Sequence, residues 1–354
     1  MTTTNEKTAR PFEMVLDRAR GALWGQATGD ALGTTIEFRD MPAPKWPAFP
    51  AGPCTDIVGG GPFNVAKGQV TDDTQMAVVL ARHLSALEGF DAEAVAKGYA
   101  AWRKVAFDIG GLTSGSLGEF VAGASARNSG MTYWRRTGSR QARNGSLMRT
   151  SPIGVAFFGA DQAEDRMRAS IDDSRITHAD PRCVMACAAF NAAIAAGIRG
   201  GSKEDMLLAA KETVPAAATL LVTEYQGDYL AQELSNAQCD LLSDLNAADQ
   251  DNPGLVGPLD ICGASQGFVR VAFRLAFWAL MHAKTFKQGI VGVASMGGDS
   301  DTTGAIAGAL LGAFYGEQNI PEEWRTVCRN ALADKPTSVW RTEYHPNHFD
   351  SLVP

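Results

Sequence analysis

Gly304, Gly308 and Gly312 follow one another at four-residue spacing in "TTGAIAGALLGAFYG", with Ala305, Ala309 and Ala313 beside them. Each glycine costs a helix interior roughly 1 kcal/mol relative to alanine. Three on one face demand an offset, and close approach by another helix supplies it. The spacing therefore predicts a buried central helix. Its N-terminus carries Asp299, Asp301 and Thr302 in "GGDSDTT", so those oxygens project into a cleft.

A second acidic helix start lies far upstream. "TDDTQM" places Thr71, Asp72 and Asp73 just before the apolar run "AVVLARHLSAL". Either cluster alone reads equally well as an N-cap, where Asp and Thr accept from free backbone N–H groups and complement the helix dipole. Two such clusters are harder to explain as caps. Hard oxygen donors in this density select Mg²⁺, Mn²⁺ or Ca²⁺, and cations remove the repulsion among facing carboxylates. Both helix starts are expected to face one metal centre.

Helical periodicity dominates the rest. "EMVLDRARGALWGQATGDALG" makes one apolar stripe, "DAEAVAKGYAAWRKVAF" starts on an Asp cap, and "HADPRCVMACAAFNAAIAAGI" has proline near its first turn. "GASQGFVRVAFRLAFWALMHA" and "TFKQGIVGVAS" are further helix candidates. Alternating strand patterns joined by tight turns are scarce, so the fold class is all-α. Three segments break the pattern: a Pro- and Gly-rich loop over 38–70, a glycine-rich turn over 108–116, and a polar, acidic stretch over 224–262 that reads as an insertion. No linker divides the chain, and the two acidic clusters need one core to meet. A single compact domain follows, at 15–335, with an N-terminal extension (1–14) and a C-terminal tail (336–354).

The net charge of −7 argues against broad binding to nucleic acid or anionic membrane. The cysteines are scattered without a CxxC pair; Cys183 and Cys187 read as a buried helix face. A reducing, cytoplasmic setting fits. The N-terminus has no apolar signal core. The most apolar run, around 303–316, is shorter than the ~20 residues of a bilayer span, so no membrane span is expected. No P-loop pattern occurs, and the glycines at 59–61 follow no strand, which excludes the usual nucleotide folds.

Several separated motifs, in order, resemble the ADP-ribosylglycohydrolase family, which includes the dinitrogenase reductase-activating glycohydrolases. They are "GALWGQATGDALG" followed by Glu37, "GQVTDDTQMA", "DIGGLTSGS", "RNGSLMRTSPIGV", "THADP", "GFV" at Gly267, and "MGGDSDTTGAIAGALLGAFYG" with "IPEEW" after it. The resemblance implies an orthogonal helical bundle with two divalent cations, Mg²⁺ or Mn²⁺, in a central cleft. It implies Thr71, Asp72, Asp73, Asp299, Asp301 and Thr302 as ligands. Glu37 matches a further metal- or water-directing carboxylate, and Asp108 an acid near the scissile ribose; Asp301 joins them in the catalytic set. Asn144, Gly145, Ser146 and Met148 match a loop holding diphosphate and distal ribose, with Gly297, Gly298 and Ser300 as backbone contacts. His178 matches a cleft histidine, or is an ordinary helix-start residue. Arg149 pairs with phosphate or bridges to an internal carboxylate. "SRQAR" before the loop holds no aromatic for adenine, leaving Phe268 or Tyr133. Ser300 stands where threonine is more usual, and the 224–262 stretch and the tail lie outside the shared pattern.

The expected reaction is hydrolysis of the bond between ADP-ribose and a protein side chain, arginine first, with Asp108 or Glu37 directing the water. O-linked ADP-ribose, on serine or acetyl, is the alternative within enzymes. A protein that blocks an ADP-ribosyltransferase by direct contact is the alternative from another class.

Overall fold

Two helices without side chains between them form the axis of the molecule. The computed structural model describes residues 4–86 and 89–353, with side chains from residue 12 onward. Its α-helices are α1 (Thr4–Gly33), α2 (Asp72–Ala86), α3 (Ala92–Trp102), α4 (Gly111–Val121), α5 (Ala126–Arg136), α6 (Ser151–Ala156), α7 (Ala163–Thr177) and α8 (Pro181–Ile198), followed by α9 (Lys203–Glu224), α10 (Ala231–Ala248), α11 (Val269–His282), α12 (Phe286–Ala294), α13 (Ser300–Tyr315), α14 (Glu322–Arg329) and α15 (Val339–Thr342). Among the described residues there is no strand, only the isolated bridges Gly60–Val65 and Arg143–Phe268. The all-α expectation holds.

The glycines of α13 meet a matching set on α1. A Cβ on Gly312 would strike the carbonyl of Gly21, one on Gly308 that of Gly25, and one on Gly304 that of Gly29. The reverse holds from α1, where Gly33 abuts the Ser300 carbonyl. The two helices thus run antiparallel with backbones in contact. That contact is the offset the glycine spacing demanded, and it sets the C-terminal end of α1 against the N-terminal end of α13.

Around this pair lies an alanine-rich shell. Asp180 caps α8 by accepting from Arg182 N–H at 3.0 Å, and Pro181 opens the helix. By length and composition alone, α8 and α9 could cross a membrane. Yet 94% of the α8 window is buried inside the protein, which accounts for its apolar character. The 38–70 stretch is an irregular loop as expected. The glycine-rich 108–116 segment differs: its residues from Gly111 onward begin α4, with Gly110 extended at the N-cap.

Residues 224–262 are woven into the core. Leu234, Ala237, Leu241 and Leu245 of α10 are buried, and buried Asp244 accepts from Arg270 Nε at 2.8 Å and Arg274 Nε at 2.9 Å on α11. The tail also docks: Phe349 is buried, and Asp350 accepts from Trp24 Nε1 at 3.4 Å and Arg329 at 3.0 Å. Of the expected extension 1–14, residues 1–3 lie outside the described residues, whereas α1 begins at Thr4.

Candidate metal centre

Three helix ends converge. After α1 the chain makes a short turn, Thr34–Ile36, and delivers Glu37. The first turn of α2 brings Asp72 and Asp73, and that of α13 brings Asp301 and Thr302. Thr71 Oγ1 lies 3.4 Å from Asp301 Oδ2 and 3.0 Å from Asp73 Oδ2. Carboxylate oxygens of Glu37, Asp108 and Asp301 all fall within 4.8 Å of one another. Residues 72 and 300, remote in sequence, therefore share one centre.

Asp30, on α1, holds this arrangement and was given no role by the sequence. Fully buried, it accepts from Thr71 N–H at 3.1 Å, Thr71 Oγ1 at 3.0 Å, Thr74 N–H at 3.2 Å and Thr74 Oγ1 at 2.6 Å. It clamps the start of α2 and leaves Asp72 and Asp73 to the cleft. An acid facing inward on the apolar stripe of "GQATGDALG" was the available signal.

The capping alternative does not describe α13. Asp299 sits at the N-cap without capping; its Oδ2 accepts from Asn144 Nδ2 at 2.7 Å instead. Glu37 Oε2 and Asp73 Oδ1 are buried with no hydrogen-bond partner. Burial pushes Glu37 up to about 9, aided by Asp108 and Asp299. It likewise raises Asp108 to about 7, with Asp299 adding repulsion. Asp72, Asp73 and Asp301 are also driven upward, by burial first and then by the charges of Asp108, Asp30 and Glu37 respectively. Orphaned oxygens in a crowd of mutually repelling, desolvated carboxylates are the donor set a hard divalent cation fits.

The cleft beside them has a volume of about 380 Å³. Glu37, Asp72, Asp108, Asn144, Gly145, Met148, His178, Asp299, Asp301 and Thr302 line it. Thr71 and Asp73 stand behind that surface, buried at the centre.

Six expected substrate contacts are absent from the lining of the cleft. Arg149 is fully buried; its Nε reaches Asp173 at 3.3 Å, its Nη2 donates to the Asp173 carbonyl, and its guanidinium lies over Tyr99. The internal-carboxylate alternative is the one realised. Ser146 is buried against Ser174 Oγ at 2.9 Å. Ser300 turns its hydroxyl away, donating to the Gly33 carbonyl at 2.7 Å. Gly297 and Gly298 are left-handed, with φ of 74° and 64°. A Cβ at either would strike the Arg39 or Ile261 carbonyl, so they shape the turn that presents Asp299. Neither aromatic candidate lines the cleft. Phe268 lies under the Arg182 guanidinium, and Tyr133 covers Gly115 with Arg136 over its ring.

Arg149 still acts on the cleft, indirectly. Its Nη1 donates to Thr177 Oγ1 at 2.8 Å, and that hydroxyl lies 2.8 Å from His178 Nδ1. Arginine can only donate, so the threonine proton is free for Nδ1, which assigns the neutral imidazole its hydrogen on Nε2. Burial, then Arg149, keeps His178 well below its usual range and uncharged.

Sequence reasoning missed Arg143 and Phe38. Arg143, exposed, lines the cleft. Among the described residues no hydrogen bond or ion pair engages its guanidinium. Gly267 leaves room for it: a Cβ there would stand 3.2 Å from Arg143 Nη1 and 3.4 Å from Asp299 Oδ2. The position just before "NGSLMR" was the signal for it. Phe38 was concealed in the loop after Glu37.

A model of the ADP-ribosylglycohydrolase family matches residues 12–345. The ADP-ribosylarginine hydrolase Tri1 of Pseudomonas putida is 29% identical over 88% of this chain and 74% of its own. The ADP-ribosyl-[dinitrogen reductase] glycohydrolase of Rhodospirillum rubrum is 27% identical over 88% and 90%. The bovine ADP-ribosylhydrolase ARH3 is 24% identical over 88% and 89%. A solved structure titled as an ADP-ribosylglycohydrolase-related protein complex superposes with a TM-score of 0.66 at 26% identity, covering 96% of this chain and 98% of that one. The chain therefore belongs to the ADP-ribosylglycohydrolase family, and is a hydrolase that acts on ADP-ribose.

Proposed function

We propose that the protein removes ADP-ribose from modified arginine side chains of proteins, with two divalent cations, Mg²⁺ or Mn²⁺, at the acidic centre. The observation that carries this reading is the cluster itself: Glu37, Asp108 and Asp301 within 4.8 Å, with buried oxygens that no protein group satisfies. The similarity to arginine-linked hydrolases supports the choice of linkage. All six cysteines are free, which suits a cytoplasmic setting.

Asp72, Asp73, Asp299 and Asp301, with Thr71 and Thr302, would hold the cations. Bound there, the cations would supply Lewis acidity toward the ribose hydroxyls and a more acidic water. The rest falls to the chain's own groups. Glu37, whose Oε2 has no protein partner, is the carboxylate free to steer a water and take its proton. Asp108, whose carboxylate lies within 4.8 Å of those of Glu37 and Asp301, orients the ribose beside it. Arg143 and the loop from Asn144 to Met148 receive the diphosphate, the one strongly anionic part of the substrate. Water oxygen joins the anomeric carbon, the carbon–nitrogen bond breaks, and the water's proton ends on the departing guanidine. The products are ADP-ribose and the unmodified arginine side chain of the protein.

The test is release of ADP-ribose from arginine-modified protein by the purified enzyme, with Mg²⁺ or Mn²⁺ and with chelator. Release that needs the cation and disappears in Asp301→Ala, with helical content unchanged, supports the reading. Undiminished release by that variant in chelator refutes it.

A further inference from the structure

Phe38 breaks two rules at once. Its φ of 63° is left-handed, an outlier for a bulky side chain that persists only where surroundings enforce it. The residue is also 52% exposed, much for an apolar side chain. The enforcement is visible: Phe38 N–H donates to the Gly298 carbonyl at 2.7 Å, and Gly298 N–H donates to the Arg39 carbonyl at 2.9 Å. These bonds tie residues 38 and 39 to the turn that presents Asp299. A strained backbone is thus braced against the metal-centre loop to hold a phenyl ring on the cleft wall.

Phe38 is the one aromatic ring of a Phe, Tyr or Trp among the residues lining that cleft. It adjoins Glu37, which faces the reacting bond. The cationic side of the cleft, with Arg143 and Asn144, comes from a different segment and meets the diphosphate. Phe38 thus shares the cleft wall with the carboxylate that faces the reacting bond. Arginine leaves as a planar cation, which an aromatic face attracts and nearby carboxylates favour. A serine hydroxyl offers neither planarity nor positive charge, and an acetate, though planar, carries no positive charge.

We propose that the Phe38 ring stacks on the guanidinium of the modified arginine and thereby sets the enzyme's preference for arginine-linked over O-linked ADP-ribose. This rests on the hydrolase reading above and adds the recognition of the leaving side chain. Phe38 is a specificity-determining residue in this account, with no part in proton transfer.

The test compares ADP-ribosyl-arginine with ADP-ribosyl-serine as substrates of the cation-loaded enzyme, and measures inhibition by free ADP-ribose. Phe38→Gly keeps the left-handed backbone without strain and removes the ring. Phe38→Ala removes the ring while keeping a side chain, and Phe38→Trp keeps an aromatic face. Glycine and alanine should lower kcat/KM on ADP-ribosyl-arginine by about 3- to 30-fold. They should leave serine-linked turnover and ADP-ribose inhibition unchanged, and tryptophan should preserve the preference. An equal fall on both substrates, or weaker inhibition by ADP-ribose, overturns the proposal and moves the ring to the adenosine or ribose. Unchanged arginine kinetics in Phe38→Gly sinks the proposal alone. Wild-type enzyme inactive on both linkages sinks the hydrolase reading along with it.

Discussion

Two sets of carboxylates are buried in this molecule, and they are treated in opposite ways. Asp173 and Asp244 each have 0% exposure and each has arginine beside it: Arg149 for the first, Arg270 and Arg274 for the second. Asp173 also accepts from Tyr99 at 2.7 Å. Asp73, Asp301 and Glu37 are nearly as buried, at 0%, 1% and 5%, yet no lysine or arginine pairs with them among the described residues. Where a carboxylate serves the fold, the chain provides its counter-charge. Where it lines the centre, the described residues provide none. Asp30 stands between: it has no cation, but four hydrogen bonds from Thr71 and Thr74 satisfy it.

Asp301→Ala should test the unpaired set most severely. Loss of ADP-ribose release should exceed the roughly 100-fold known for partners that merely orient metal ligands, and cation affinity, read by calorimetry, should fall with it. Asp244→Ala should do the reverse. Removing one partner of a buried ion network costs about 3–5 kcal/mol, so denaturant melts should show a large loss of stability. Cation binding below the melting range should stay intact. If Asp244→Ala were silent in melts, the contrast between the two sets would be wrong. Asp30→Asn should fall between them, weakening cation affinity by about 10- to 100-fold with a smaller loss of stability.

The pH response sharpens the same contrast at the smallest scale. Asp108 and Glu37 have folded-state values raised to about 7 and about 9. Their unfolded values lie near about 4. The folded state therefore binds more protons than the unfolded state between these limits, and stability falls as pH rises through them. Cation-free protein should lose several degrees of melting temperature from about pH 5 to about pH 9. Saturating Mg²⁺ or Mn²⁺ should flatten that slope, because the cation takes the protons' place. A flat profile without cation would mean that the carboxylates already have partners.

Much of this was legible before any coordinates. The glycine spacing on α13 announced a close helix neighbour, and the same spacing in "GALWGQATGDALG" could have named α1 as that neighbour. The two acidic helix starts announced their shared centre. The substrate side was less legible. Arg149 and Ser146 lie in the same motif as Asn144 and Met148, but the turn over 144–149 aims Asn144, Gly145 and Met148 at the cleft and buries Ser146 and Arg149 away from it, and a motif does not say which. The 224–262 stretch reads as an insertion from its polar, acidic composition; that Asp244 lies inside, where Arg270 and Arg274 meet it, came only from the structure.

Short-range chemistry is what the chain alone determined: helix where apolar residues recur every three or four positions, close backbone approach where glycine repeats, dense acidic charge at two helix starts. Which of those groups share a cavity was decided only by tertiary packing. The α1–α13 contact sets the depth at which Glu37 meets Asp301, Asp30 fixes the start of α2, and the Gly298 turn turns Phe38 outward. Each depends on backbone atoms brought together from distant stretches, which local sequence pattern does not specify.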